Sequence, residues 1–172
     1  MTIRQSTPGD IDCIMPVYEQ ARDFMRSRGN TSQWTGGYPS RDIIMEDIAH
    51  GYHYIGEDED GEILMVFSFI VGADPTYALI EGGEWLNDAP YGTIHRIAST
   101  GLKGGMLREC VRFCSRFADN IRIDTHADNG EMQRAIKHSG FAYCGIIHLA
   151  DGSPRIAFQK ECRPPIRFEI KF

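Results

Sequence analysis

The sequence lacks the features that mark membrane, exported, nucleic-acid-binding or metal-holding proteins. No apolar run reaches the roughly 18 residues that a spanning helix needs, so no membrane span is expected. The opening MTIRQSTPGDIDC has no apolar stretch, so no secretory leader is expected either. Basic residues are outnumbered, 18 Lys and Arg against 24 Asp and Glu. The resulting net charge of −6 argues against non-specific nucleic-acid binding, which needs basic surface to release counterions. Repeats and low-complexity tracts are missing. The five cysteines are Cys13, Cys110, Cys114, Cys144 and Cys162. Cys110 and Cys114 stand i,i+4, but no second pair or histidine cluster joins them at ligand spacing, so no metal is expected. An odd count in a chain this long reads as reduced, mostly buried thiols and a cytoplasmic protein.

What is there suffices for a core. With 42% hydrophobic residues, 172 positions predict one domain over 1–162, and 163–172 a C-terminal strand or arm that pairs with a second copy as a homodimer. Residues 2–6 read as a strand. Thr7-Pro8-Gly9-Asp10 reads as a helix start with Thr7 as N-cap, followed by Ile11, Ile14, Met15, Tyr18, Ala21, Arg22 and Met25 at helical spacing, ending near Gly29. Ser40 caps a second helix to about Ala49. Tyr52–Glu57 and Glu62–Val71 form a hairpin around Asp60-Gly61, the second run being apolar enough for a central strand. Residues 72–92 have no period, and a loop that long is usually functional.

From Thr93 the pattern becomes strand, helix, strand, helix, strand, strand. Met106, Leu107, Cys110, Val111, Cys114, Phe117 and Ala118 form a helical stripe, and Ile121–His126 alternates. Asp128-Asn129-Gly130-Glu131 opens a helix that ends at Ser139-Gly140. Phe141–Leu149 and Pro154–Lys160 make a hairpin. The expected architecture is a mixed α/β sheet of about six or seven strands flanked by about four helices.

The glycine turn between strand and helix, Gly101-Leu102-Lys103-Gly104-Gly105, admits three readings. The plainest is a connection without a ligand. A dinucleotide site is the second, since Asp124 stands twenty residues after Gly104, where a ribose-binding acid belongs. That spacing is G-x-x-G-G, however, and the first half of the chain lacks strand–helix alternation.

The third rests on two motifs at the right separation. "LKGGMLREC" and "NGEMQRAIKHSGF" together resemble the glycine motif and the Asn…Gly-Phe motif of the GNAT superfamily of N-acetyltransferases. The opening "IRQSTPGDIDCIMPVYEQA" resembles theirs too, so the likeness covers nearly the whole chain. It implies the GNAT fold, acetyl-CoA as cosubstrate and transfer of its acetyl group to a primary amine of a small molecule or peptide. The amides of Lys103, Gly104, Gly105, Met106, Leu107 and Arg108 would hold the pyrophosphate. The open backbone of Ile97, Ala98 and Ser99 would bond the pantetheine arm like an added strand, with Asn129 orienting it from the other side. One departure matters. Many members carry a tyrosine seven residues after the asparagine as proton donor to the thiolate, and that place is Ile136.

An amine acceptor must lose a proton before it attacks, because an alkyl ammonium has a pKa near 10. Glu81, Glu84 and His95 are the candidate bases, and Tyr143 the substitute acid. Alternation puts His95 on one face with Ile97 and Ser99, and Asp124 and His126 within reach as partners. Trp34, Tyr38 and Trp85 sit in the two loops expected to frame the acceptor. The alternatives are a non-catalytic acyl-CoA-binding domain, motivated by Ile136, and third an NAD-type oxidoreductase.

Overall fold

The computed structural model describes residues 1–162; the expected C-terminal arm, and the homodimer drawn from it, fall outside the described residues. Strand β1 (Thr2–Gln5) leads into a short 3₁₀ turn at Pro8–Asp10. The Asp10 carboxylate accepts hydrogen bonds from the Thr7 amide (2.7 Å) and hydroxyl (2.8 Å) and an ion pair from Arg4 (2.9 Å). The turn feeds α1 (Ile11–Ser27), which buries Ile11, Ile14, Val17, Tyr18 and Met25. Ser40 caps α2 (Arg41–Ala49), its hydroxyl taking the Ile43 amide. β2 (His53–Glu57) and β3 (Ile63–Val71) form the expected hairpin, with Gly61 at φ 82° and the Asp58 carboxylate holding the turn amides.

The second half supplies β4 (Gly92–Ser99), α3 (Met106–Cys114), β5 (Asn120–Thr125), α4 (Gly130–His138), β6 (Ala142–His148) and β7 (Pro154–Glu161). The seven strands lie in the order β1-β2-β3-β4-β5-β7-β6. Every neighbouring pair is antiparallel except β4 and β5, so the sheet is mixed, as expected. One face is covered by α1 and α2, where Ile14, Tyr18 and Ile44 meet Ile55, Val66 and Ala98. On the other, Leu107, Cys110, Val111 and Ile136 of α3 and α4 meet Phe67, Ile94 and Phe158. Each such side chain taken fully from water contributes roughly 1.5–3 kcal/mol.

Two expectations about helix and strand faces are corrected. The helix α3 stops at Cys114, because the Arg116 and Phe117 amides bond three residues back and tighten the chain, although Ala118 still packs against the core. Phe117 is consequently 53% exposed rather than core. The second correction is in β4. Its register with β3 runs Ser68 opposite His95 and then Val66 opposite Ala98, so two residues, Arg96 and Ile97, face Phe67 alone. That bulge reverses the alternation. Ile97 packs with Ile94 on the α3 side, and His95 is on the other face, away from Ile97.

The loop 72–92 is less irregular than its composition implies. It contains a 3₁₀ turn at Pro75–Tyr77, capped by the Asp74 carboxylate, and then lays Glu81 antiparallel to Ile146 at the edge of β6. Tyr77, Ile147 and Ala157 form a small core beneath it.

Candidate active site

The site is built where β4 and β5 part. Their parallel ladder is two residues long, Gly92 opposite Ile121 and Thr93 opposite Arg122, after which, among the described residues, β5 pairs only with β7. A strand that leaves its neighbour exposes backbone groups with no partner. Which groups follows from the register. The Gly72 amide donates to the Tyr91 carbonyl and the Thr100 amide to Leu64, marking the hydrogen-bonded pairs at either end of β4. Stepping inward two residues at a time, Thr93 and His95 from one end and Ala98 from the other bond toward β3, while Ile97 and Ser99 turn their amides toward the gap. Of the three residues expected to offer an open edge, Ala98 therefore does not.

At the mouth of the gap stands the glycine turn. Gly101 to Gly105 are all exposed, and a Cβ placed on Gly101, Gly104 or Gly105 would meet nothing within 4 Å. Gly105 is the N-cap of α3 at φ 78°, and no side chain among the described residues caps the helix. The first amides of α3 thus have neither an intrahelical partner nor a side-chain cap. Lys103 and Arg108 are exposed beside them, whereas the Met106 and Leu107 side chains are buried in the core. Across the gap, Asn129 caps α4, its Oδ1 accepting from the Met132 amide at 3.1 Å. Its Nδ2 donates to Gln33 Oε1 at 3.0 Å, tying α4 to the loop between α1 and α2. A cavity of about 290 Å³ lies at this junction, between Phe24, Met25 and Arg28 at the end of α1 and Asn129 and Arg134 at the start of α4.

Beside the parting, on the α1–α2 face, titratable groups gather. His95 Nε2 lies 3.0 Å from Asp74 Oδ2, each side chain 20% exposed. Hydrogen bonding from His95 holds the Asp74 carboxyl below the usual carboxylate range. Level with His95 on β5, Asp124 accepts the Tyr77 hydroxyl at 2.6 Å, and burial pushes its pKa up. The expected partners of His95 are thus engaged elsewhere: Asp124 by Tyr77, and His126 by the Asp128 amide.

The bulge is gripped from three sides. Tyr18 Oη donates to the Arg96 carbonyl at 2.9 Å and meets His53 Nε2 at 2.9 Å. The Arg96 guanidinium pairs with Asp47 of α2 at 2.6 Å and donates to Tyr38 Oη at 2.9 Å. Arg96 and Trp34 are the two non-glycine residues with left-handed φ among the described residues, at 51° and 56°. Such conformations cost about 1–3 kcal/mol each and concentrate at functional sites. Both converge on Tyr18, since the Trp34 ring packs edge-on to it at 5.7 Å.

The expected acceptor aromatics separate accordingly. Trp34 and Tyr38 belong to the bulge. Trp85 lies in a second cleft of about 380 Å³, where it and Tyr91 sandwich the Arg122 guanidinium at 3.9 and 3.8 Å. Glu81 is fastened by its backbone to Ile146 and its side chain points to solvent, as does Glu84. Tyr143 is 54% exposed on β6, edge-on to Phe158. The structure does not bring these three to His95. Sequence reasoning named Tyr77 only as one of the residues the long loop presents beside the site, and it missed Asp74, Asp47 and Arg96; the one signal for Asp74 was Asp74-Pro75, a turn-initiating pair inside that loop.

No protein-family profile matches the sequence, and no curated protein does. Solved structures do. A GNAT-family acetyltransferase from Streptococcus agalactiae 2603 shares 34% identity, with 95% of this chain and 96% of that one covered and a TM-score of 0.87. One from Listeria monocytogenes 4b F2365 shares 18% identity over 93% and 94%, at a TM-score of 0.69. AAC(6')-Ib, solved in complex with ribostamycin and coenzyme A, shares 19% identity over 93% and 92%, at 0.63. The last two are likenesses of fold. The first, at its identity and coverage, settles the question: this chain belongs to the GNAT family of acetyltransferases.

Proposed function

We propose that the protein transfers an acetyl group from acetyl-CoA to a primary amine of a small molecule or peptide by direct attack. The observation that carries this reading is the parting of β4 from β5 beside an exposed, uncapped start of α3. The amides of Lys103 to Arg108 suit a pyrophosphate, because their dipoles and the helix macrodipole favour an anion. The free edge at Ile97 and Ser99 suits the two amides of a pantetheine arm. Asn129 faces that arm from α4 once its Gln33 bond is exchanged. Coenzyme A in the AAC(6')-Ib complex supports the same donor here.

Acetyl-CoA supplies an acyl carbon already activated by a good leaving group. The chain must hold that carbonyl and remove the amine's proton. The Ile97 amide, turned into the gap, is placed to polarise the carbonyl oxygen. His95 is placed to take the proton: with Nε2–H donated to Asp74, the ring carries its lone pair on Nδ1. Asp74 then stabilises the imidazolium as it forms. As the new C–N bond forms and the C–S bond breaks, the thiolate takes its proton from solvent or from the imidazolium. A thiolate leaves without an obligatory acid, which fits Ile136 being fully buried in the core.

Ile136 also favours a second reading, an acyl-CoA-binding domain without turnover. A dinucleotide site has less support, since the Asp124 carboxylate is taken by Tyr77 and β4–β5 is the one parallel neighbour pair among the described residues. Thermal shift with acetyl-CoA, desulfo-CoA and NAD separates these. Stabilisation by both CoA compounds is expected, and stabilisation by NAD alone defeats the proposal. Thiol release with a panel of alkyl and aryl amines then divides enzyme from binder.

A further inference from the structure

The bond network around Arg96 does more than the fold requires. Asp47 is a buried carboxylate on α2, among Ile44 and Ile48, and its side chain is 10% exposed. It receives Arg96 Nε at 2.8 Å and the Ser68 hydroxyl of β3 at 2.5 Å. Packed apolar side chains hold a helix on a sheet as well as a buried ion pair does, so the pair is not explained by stability alone. What it grips is specific. Arg96 is the extra residue of the bulge, held at its carbonyl by Tyr18 and at its side chain by Asp47 and Tyr38. The next peptide N–H is that of Ile97, the one facing the gap. Rotation of the Arg96–Ile97 peptide would turn that donor away.

We infer that Asp47 is a positioning residue for acyl transfer: through the Arg96 guanidinium it fixes the bulge so that the Ile97 amide points at the acyl carbonyl. Tyr38 extends the hold to the loop between α1 and α2, so that the loop and the thioester donor are registered on one side chain. Asp47 itself touches neither substrate. The inference deepens the acyl-CoA reading and rests on it.

Two ligands separate the roles. One is acetyl-CoA with the thioester sulfur replaced by methylene, an inert methyl ketone; the other is desulfo-CoA, which lacks the carbonyl. Calorimetry on the full chain is expected to give about fivefold tighter binding of the ketone, the worth of one net hydrogen bond. Asp47→Asn should erase that preference while leaving desulfo-CoA affinity within about twofold. It should also speed amide exchange over residues 95–99, read by mass spectrometry. Arg96→Lys keeps the charge but loses the forked grip, and it carries the same expectation if Asp47→Asn fails to fold. An unchanged preference in a folded variant overturns the inference, as does equal weakening of both ligands, the signature of a merely structural role. Failure of the parent chain to bind either ligand overturns the acyl-CoA reading, and the inference with it.

Discussion

His95 Nε2 and Asp74 Oδ2 stand 3.0 Å apart although their residues are separated by 21 positions in the chain. The pair exists because the loop after β3 folds back over β4, where Asp74 caps the 3₁₀ turn with one oxygen and meets the imidazole with the other. A histidine with one ring nitrogen committed to a carboxylate and the other without a partner among the described residues suits the base of the proposed transfer.

Replacing His95 by Gln or Asp74 by Asn should therefore act on chemistry and not on donor binding. Thiol release with a reactive amine is expected to fall about 10²–10⁴-fold for His95→Gln. Desulfo-CoA affinity should stay at the parent value. Undiminished turnover would remove His95 from the mechanism.

Gly104→Asp tests the glycine turn. A side chain there meets nothing within 4 Å, so stability should hold within about 0.5 kcal/mol. A carboxylate at the phosphate site should nonetheless weaken CoA binding by about tenfold or more. Calorimetry that returns the parent affinity would mean the turn holds no phosphate.

Gly83→Ala tests the loop that carries Asp74. A Cβ at Gly83 would collide with the Cys144 carbonyl of the β6 edge, beside the Glu81–Ile146 bridge. A loss of roughly 1–3 kcal/mol in urea unfolding is expected, together with slower turnover as the loop lifts Asp74 from His95. Parent stability would show that the loop adapts at no cost.

His53 predicts an acid-side loss of stability. Fully buried between Ser6 and Tyr18, its pKa is pushed down to about 4 by burial. The unfolded chain then binds a proton that the folded chain refuses, so stability declines as pH falls from about 6.5 toward 4, by up to ~3 kcal/mol. Urea titrations at several pH values should show that slope in the parent and not in His53→Asn.

Local chemistry made much of the fold legible. Ser40, Gly61 and Asn129 each do in the structure what their residue type does locally, capping or turning the chain. Two motifs at the proper separation sufficed for the family. The candidate site was harder to read. Arg96 has no local reason to take φ 51°; distant Asp47 and Tyr18 hold it there, and the bulge so formed moves Ile97 to the Ile94 face, away from His95, where strict alternation would not put it. Glu81 was an ordinary candidate base until a backbone bridge to Ile146 carried it to the far edge of the sheet.

Periodicity, caps and turn residues act within a few positions, and for that reason the linear chain alone determined the helices, the hairpins and the glycine turn. The pairing of His95 with Asp74, the grip of Asp47 on Arg96 and the point where β5 leaves β4 were decided only by the folded molecule. Each depends on groups brought together from remote segments, through contacts whose energy exists only once the sheet and its covering helices have closed around them.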